Sequence, residues 1–154
     1  MSAPYTFWGE QTSTSILIDE SAAIDLERHR QTDAHSNEAG GILIGERRGP
    51  HIWVRSITFP QPDDWATRFS FFRRSKSHQQ AADSAWRSSS GVHQYVGEWH
   101  SHPESMPRPS WIDRASWMAR SIQAKSDLAV LIVGDDGFFV GLQKKFDLHE
   151  FARQ

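Results

Sequence analysis

Apolar and polar positions alternate along this chain with two periods, one of two residues and one near 3.6, and together they mark out its elements. The run "SILI" at 15–18 is short and apolar and predicts a strand. Residues 19–32 start with acids and end with bases, with Ala22, Ala23 and Leu26 at helical spacing, which predicts a helix. The β-rich runs "GGILIG" at 40–45 and "HIWVRSITF" at 51–59 are joined by "ERRGP" and read as a hairpin. Residues 60–75 hold two prolines and two aspartates, so an irregular connection is expected. Ala81, Ala82, Ala85 and Trp86 share one face of a second helix that Gly91 ends. Residues 92–102 alternate like a strand, and "PESMPRP" at 103–109 carries three prolines and must be a loop. Ser110 opens a third helix with Trp111, Ala115, Met118 and Ile122 in a 4-3-4 stripe. Strands are expected at 127–134 and, after a "DDG" turn, at 137–146. Residues 1–14 are polar and without period, and read as an N-terminal arm ahead of a single domain over 15–154. The order β-α-β-β-α-β-α-β-β is an α/β class with a mixed sheet flanked by helices.

Composition narrows the function. The chain has 154 residues, 17 basic and 19 acidic, for a formal net charge of −2. That excludes the usual basic nucleic-acid binder and the acidic tail protein. It has no cysteine, which removes disulfide frameworks, Cys-ligated zinc, Fe–S clusters and thiol nucleophiles. No segment resembles a signal peptide or approaches the ~20 apolar residues of a membrane span, so a soluble cytoplasmic protein is expected. The eight histidines direct attention to their spacing.

The informative segment is "EWHSHPESMPRPSWID". His100 and His102 are two apart, and on an extended segment both rings point the same way. Asp113 follows eleven residues later near a helix start, where a proline-braced loop can return its carboxylate to the same point. Two imidazoles and one carboxylate make a three-ligand set of the kind that leaves a catalytic zinc one open position. The plainer alternative is open at this stage: two half-buried strand histidines, with Ser110 and Asp113 forming a helix capping box.

The spacing resembles the JAMM motif of the MPN+ metalloproteases, also called JAB domains. That motif has a Glu before a Gly-rich apolar strand, here Glu38 in "NEAGGILIGE", then His100-Ser101-His102, seven residues, Ser110, two residues and Asp113. The resemblance implies a single MPN domain of cytidine-deaminase-like fold. It implies Zn²⁺ on His100, His102 and Asp113 with water as fourth ligand, Glu38 as general base, and Ser110 as hydrogen-bond donor to the developing oxyanion. A capping role for the Ser110 hydroxyl competes with that last role. The deaminase chemistry itself fails, since those sites need cysteines. The wider wording "GEWHSHPE" resembles a bacterial subset that includes deconjugating peptidases of CBASS antiphage operons. The implied substrate is a ubiquitin-like modifier or a similarly conjugated protein, its tail extended in a groove beside a sheet edge. The alternatives are a processing peptidase for a small sulfur-carrier-like protein and a non-catalytic MPN scaffold.

Other residues carry weaker signals. Trp65, Arg68, Arg73 and Arg74, with Lys76, form a basic-aromatic stretch where the family's insertions help hold the modifier, and are candidate substrate contacts. Glu98 alternates with His100 and is either a partner for a histidine ring nitrogen or a structural carboxylate. Glu46 and Glu104 read as solvated loop charges. Trp99, Trp111 and Trp117 read as core. His29, His35, His51, His78, His93 and His149 lack ligand spacing and read as ordinary histidines. Gly40, Gly41 and Gly45 follow no phosphate-loop pattern and read as allowing close backbone approach near Glu38.

Overall fold

In a computed structural model, which describes residues 4–154, eleven strands and three helices follow one another. They are β1 (Tyr5–Gly9), β2 (Thr14–Ile18), α1 (Glu20–Glu27), β3 (Gly40–Arg48), β4 (His51–Ile57), β5 (Trp65–Thr67) and β6 (Ser70–Phe72). Then come α2 (Ser77–Ser88), β7 (Gln94–Ser101), α3 (Trp111–Ala124), β8 (Leu128–Val133), β9 (Phe138–Lys144), β10 (Asp147–Glu150) and β11 (Ala152–Arg153). Nine strands form one mixed sheet in the order β10-β9-β8-β7-β3-β4-β2-β1-β11, and β5 and β6 form a separate hairpin. The β2–β4 and β7–β8 pairs are parallel and the rest antiparallel.

The strand alternation assigns the layers. In β8, Ala129, Leu131 and Val133 join the larger core, beneath Ala22, Ala23 and Leu26 of α1. The intervening Val130 and Ile132 face the other way, onto Trp117 of α3. Burial on both faces explains the unbroken apolar run "LAVLIV". α2 sets Ala82 on Ile42 and Ile44 of β3, on the same side of the sheet as α3. That side also receives Glu98 and His100, because they alternate with the buried core residue Trp99 along β7. No helix among the described residues is long and apolar enough to cross a membrane.

Several expectations are corrected. Residues 5–9 are not part of an arm: they form β1, held between β2 and β11, with Phe7 buried. Met1–Ala3 lie outside the described residues. Residues 60–75 are not wholly irregular, since they contain the β5–β6 hairpin. α1 stops at Glu27, so the bases after it lie beyond the helix. The 4-3-4 stripe of α3 is its outer face: Trp111 is 78% exposed and Ile122 45%, while Trp117 and Ser121 are buried. In α2, Trp86 is likewise exposed and Ala82 buried. The strand expected at 137–146 ends at Lys144, and β10 and β11 follow it to close the two edges of the sheet.

The hairpin over the site is held by one buried carboxylate. Asp64 Oδ1 accepts the amides of Arg74 and Ser75 at 2.7 and 2.8 Å, and Oδ2 accepts the amide of Gln61 at 2.9 Å. The same Oδ2 lies 2.7 Å from Nε2 of His78, which is fully buried and 2.6 Å from Thr58 Oγ1 by its other ring nitrogen. Burial alone would raise the pKa of Asp64, but these donors outweigh it and hold the carboxyl below its usual range. A depressed folded-state pKa contributes stability that is complete above the unfolded value of about 3.9 and disappears as pH falls through the folded one. Asp64→Ala is therefore expected to cost about 3 kcal/mol at neutral pH, by stranding four donors. Urea unfolding of wild type and variant should show the difference narrowing as pH falls below about 4. An unchanged midpoint at pH 7 would refute the assignment.

Candidate metal centre

The end of β7 and the start of α3 converge on one point. His102 lies one residue past β7, yet its amide still donates to Val133 O of β8 at 2.9 Å, so the extended geometry continues and its ring lies beside that of His100. Ser110 is the N-cap of α3 and Asp113 its third residue, with both halves of a capping box formed. Ser110 Oγ accepts the Asp113 amide at 3.1 Å, and Asp113 Oδ2 accepts the Ser110 amide at 2.8 Å. The cap thus turns the Asp113 carboxylate back toward the histidines. His100 Nε2 lies 3.2 Å from Asp113 Oδ1, His102 Nε2 lies 3.2 Å from Oδ2, and the two Nε2 atoms are 3.1 Å apart.

These residues are the one His/Asp/Glu group among the described residues whose donor atoms cluster tightly enough to hold an ion. The fit is close. An ion bound tetrahedrally to N and O at about 2.0–2.1 Å separates its ligand atoms by about 3.3 Å. Glu104 Oε1 sits 2.9 Å from His102 Nδ1, which orients the ring with Nε2 toward the cluster. Glu104 is therefore not a merely solvated charge, and its place two residues after His102 was the available signal. Burial would raise the pKa of Asp113, but the bonds from His100 and His102 outweigh it and hold the carboxyl well below its usual range. Burial would lower His102, but Asp113, Glu38 and Glu104 outweigh it and raise it.

Glu38 is brought in by the loop before β3. Its amide donates to Thr67 O of the hairpin at 2.7 Å. The next amide, Ala39, donates to Ser101 Oγ at 2.8 Å, and that hydroxyl donates to Gln31 Oε1 at 2.9 Å. Gln31 Nε2 in turn donates to Arg68 O, which ties the loop, the hairpin and β7 together. Glu38 Oε1 stops 3.6 Å from His102 Nε2, too far for a hydrogen bond. Burial, joined by the Asp113 and Glu104 charges, pushes this carboxyl up to about 8 against the opposing pull of His102. Gly40 and Gly41 allow the close packing expected here: a Cβ on Gly40 would meet the Phe71 ring, and one on Gly41 the Thr58 carbonyl.

A groove leads to this point between the hairpin and α3, with Phe69 and Phe71 on one wall, Ile112 and Ser116 on the other, and Glu98 and His100 at its base. Glu98 does not orient a histidine. Arg73 Nη2 donates to its Oε1 at 2.8 Å and the Tyr95 hydroxyl to the same oxygen at 2.6 Å. Arg73 is thus engaged internally, and the Arg68 guanidinium donates to Asp33 O at 2.9 Å. Trp65, Arg74 and Lys76 are exposed. Trp99 and Trp117 are core and Trp111 is not. Glu46 is buried on β3 beside Arg48 and 3.4 Å from His93, not solvated in a loop.

Comparison with known proteins agrees with this architecture. Residues 20–146 match the family described as prokaryotic homologs of the JAB domain. A CD-NTase/cGAS isopeptidase of Escherichia coli is 37% identical over 90% of this chain and 88% of its own. One of Vibrio cholerae is 37% identical over 88% of this chain and 86% of its own. A probable metalloprotease of Sinorhizobium fredii is 36% identical over 64% of this chain and 63% of its own. A solution structure of a Desulfitobacterium hafniense protein shares the fold, with a TM-score of 0.63 over 88% of both chains at 24% identity. The chain belongs to the prokaryotic JAB family and is a peptidase of that family.

Proposed function

We propose that this protein is a zinc-dependent isopeptidase that cleaves after the C-terminal tail of a ubiquitin-like modifier, or of a similarly conjugated protein. The observation that carries the reading is the His100–His102–Asp113 donor set with buried Glu38 beside it, at the end of a groove. The name of the relatives, CD-NTase/cGAS isopeptidase, favours a conjugated CD-NTase as the substrate. His100, His102 and Asp113 would hold the zinc, which would supply Lewis acidity beside Glu38. Glu38 takes a proton from the attacking water and returns it to the leaving amine. The groove between the hairpin and α3 holds the tail extended.

Ser110 donates a hydrogen bond from its hydroxyl to the developing oxyanion. Capping and catalysis do not compete, because the cap uses an oxygen lone pair and the oxyanion uses the O–H. Ser110→Ala is expected to keep the metal, lose about 1 kcal/mol of stability with the cap, and fall roughly 10²–10³-fold in turnover. Turnover near wild type with lowered stability would leave Ser110 as a cap alone.

The reading is tested by expressing Glu38→Ala in the native host and comparing its proteome with wild type. Accumulation of ligated high-mass species around one target supports it and names the substrate. Accumulation of a small protein with an uncut C-terminal extension replaces it with a processing peptidase. No difference, together with absence of zinc from the purified wild type, replaces it with a scaffold.

A further inference from the structure

One arginine in the groove has no part in the chemistry above. Arg120 stands seven residues after Asp113 on α3, two helical turns along the same face, and both line the groove. Its side chain is 38% exposed, and Nε is 3.9 Å from Glu98 Oε1, beyond hydrogen-bond distance. Glu98 is held instead by Arg73 and Tyr95. Arg73 donates to Oε1 at 2.8 Å and Oε2 at 3.3 Å, and the Tyr95 hydroxyl also donates to Oε1. Arg73 and Glu98 are 18% and 11% exposed, so this bidentate pair is largely shielded. Burial and the Glu98 charge push the Tyr95 phenol up and keep it neutral. Arg73, Arg120 and Glu98 together therefore carry one net positive charge, and Arg120 is the member most open to the groove.

We propose that Arg120 is a specificity residue that selects an acidic side chain in the substrate tail, about three residues from the bond cleaved. The distance follows from geometry. Seven helical residues rise about 10 Å, and an extended peptide spends roughly 3.3 Å per residue. A carboxylate there meets a planar guanidinium whose donors are free for paired hydrogen bonds. Lysine at that position meets like charge. The inference rests on the peptidase reading, because that reading places the cleaved bond at the metal end of the groove.

The test uses labelled decapeptides in which one Glu, Gln or Lys is moved a residue at a time along an otherwise uncharged sequence. Two readouts are taken: kcat/KM with zinc-loaded wild type, Arg120→Gln and Arg120→Glu, and fluorescence anisotropy with the same proteins free of metal. In wild type, Glu is expected to exceed Lys about tenfold or more near the third position in both readouts. The ratio should fall to about one in Arg120→Gln and invert in Arg120→Glu, which a purely structural arginine would not produce. Cleavage with equal rates for Glu and Lys at every position overturns this inference and leaves the peptidase reading intact. No cleavage with the charge preference retained in anisotropy defeats the peptidase reading and leaves the subsite. No cleavage and no charge preference defeats both.

Discussion

Glu38→Gln is expected to retain one metal per chain and to lose cleavage by roughly 10²–10⁴-fold or more, the scale of a removed general base. The expectation comes from where the side chain stands. Glu38 is 4% exposed and its nearest oxygen stops 3.6 Å from His102 Nε2, outside the ligand cluster. Gln has the same shape and keeps the amide link to Thr67 O, so the loop stays in place. What disappears is the only feature Gln lacks, a basic oxygen that can take a proton. Burial, with the Asp113 and Glu104 charges and against the pull of His102, pushes this carboxyl up to about 8, which disfavours the ionised base. A dication between His100, His102 and Asp113 favours the charged form, so base and metal depend on each other. Metal analysis beside turnover on a conjugate separates the roles. A metal-free Glu38→Gln would make Glu38 a ligand, and an active one would remove it from the chemistry.

His102→Ala should lose both metal and activity. His102 contributes one of the three donor atoms, and its ring is held from behind by Glu104. Two donors remain, too few for a tetrahedral site of useful affinity. His102 is the more decisive choice than Asp113, whose carboxylate also caps α3, so that its removal mixes metal loss with helix loss. The amide of residue 102 keeps its bond to Val133 O, so β7 and β8 stay paired. Metal stabilises a fold only by binding it, so zinc should raise the Tm of wild type and leave that of the variant unmoved. Full metal stoichiometry in His102→Ala would mean the ligand set is wrong.

The element pattern and the ligand spacing were legible in the chain because both obey short-range rules. An i, i+2 pair on a strand shares a face, and a cap returns the third helical residue toward its own N-terminus. The β8 run and the β3–β4 hairpin followed from hydrophobicity and turn residues in the same way. What failed was whatever depended on distant partners. β5 and β6 have three residues each, too few to show alternation, and exist because Asp64 gathers the chain and Phe71 rests on Gly40. β1 is five residues after a proline, and only pairing with β2 and β11 makes it a strand.

The third helix shows the division most clearly. Its 3.6 period was visible, but two faces were apolar enough to serve as the inner one. Asp113 must face the histidines, so Trp117 and Ser121, four and eight residues on, turn inward and Trp111 turns out. By itself the sequence determined the family, the longer elements and the residues able to hold a metal, because local geometry and spacing encode them. Only the tertiary structure decided which helix face is buried, that Arg73 rather than a histidine takes Glu98, and that Arg120 is left open to the groove. Those outcomes depend on which charges and surfaces meet across many residues of chain, which no local pattern specifies.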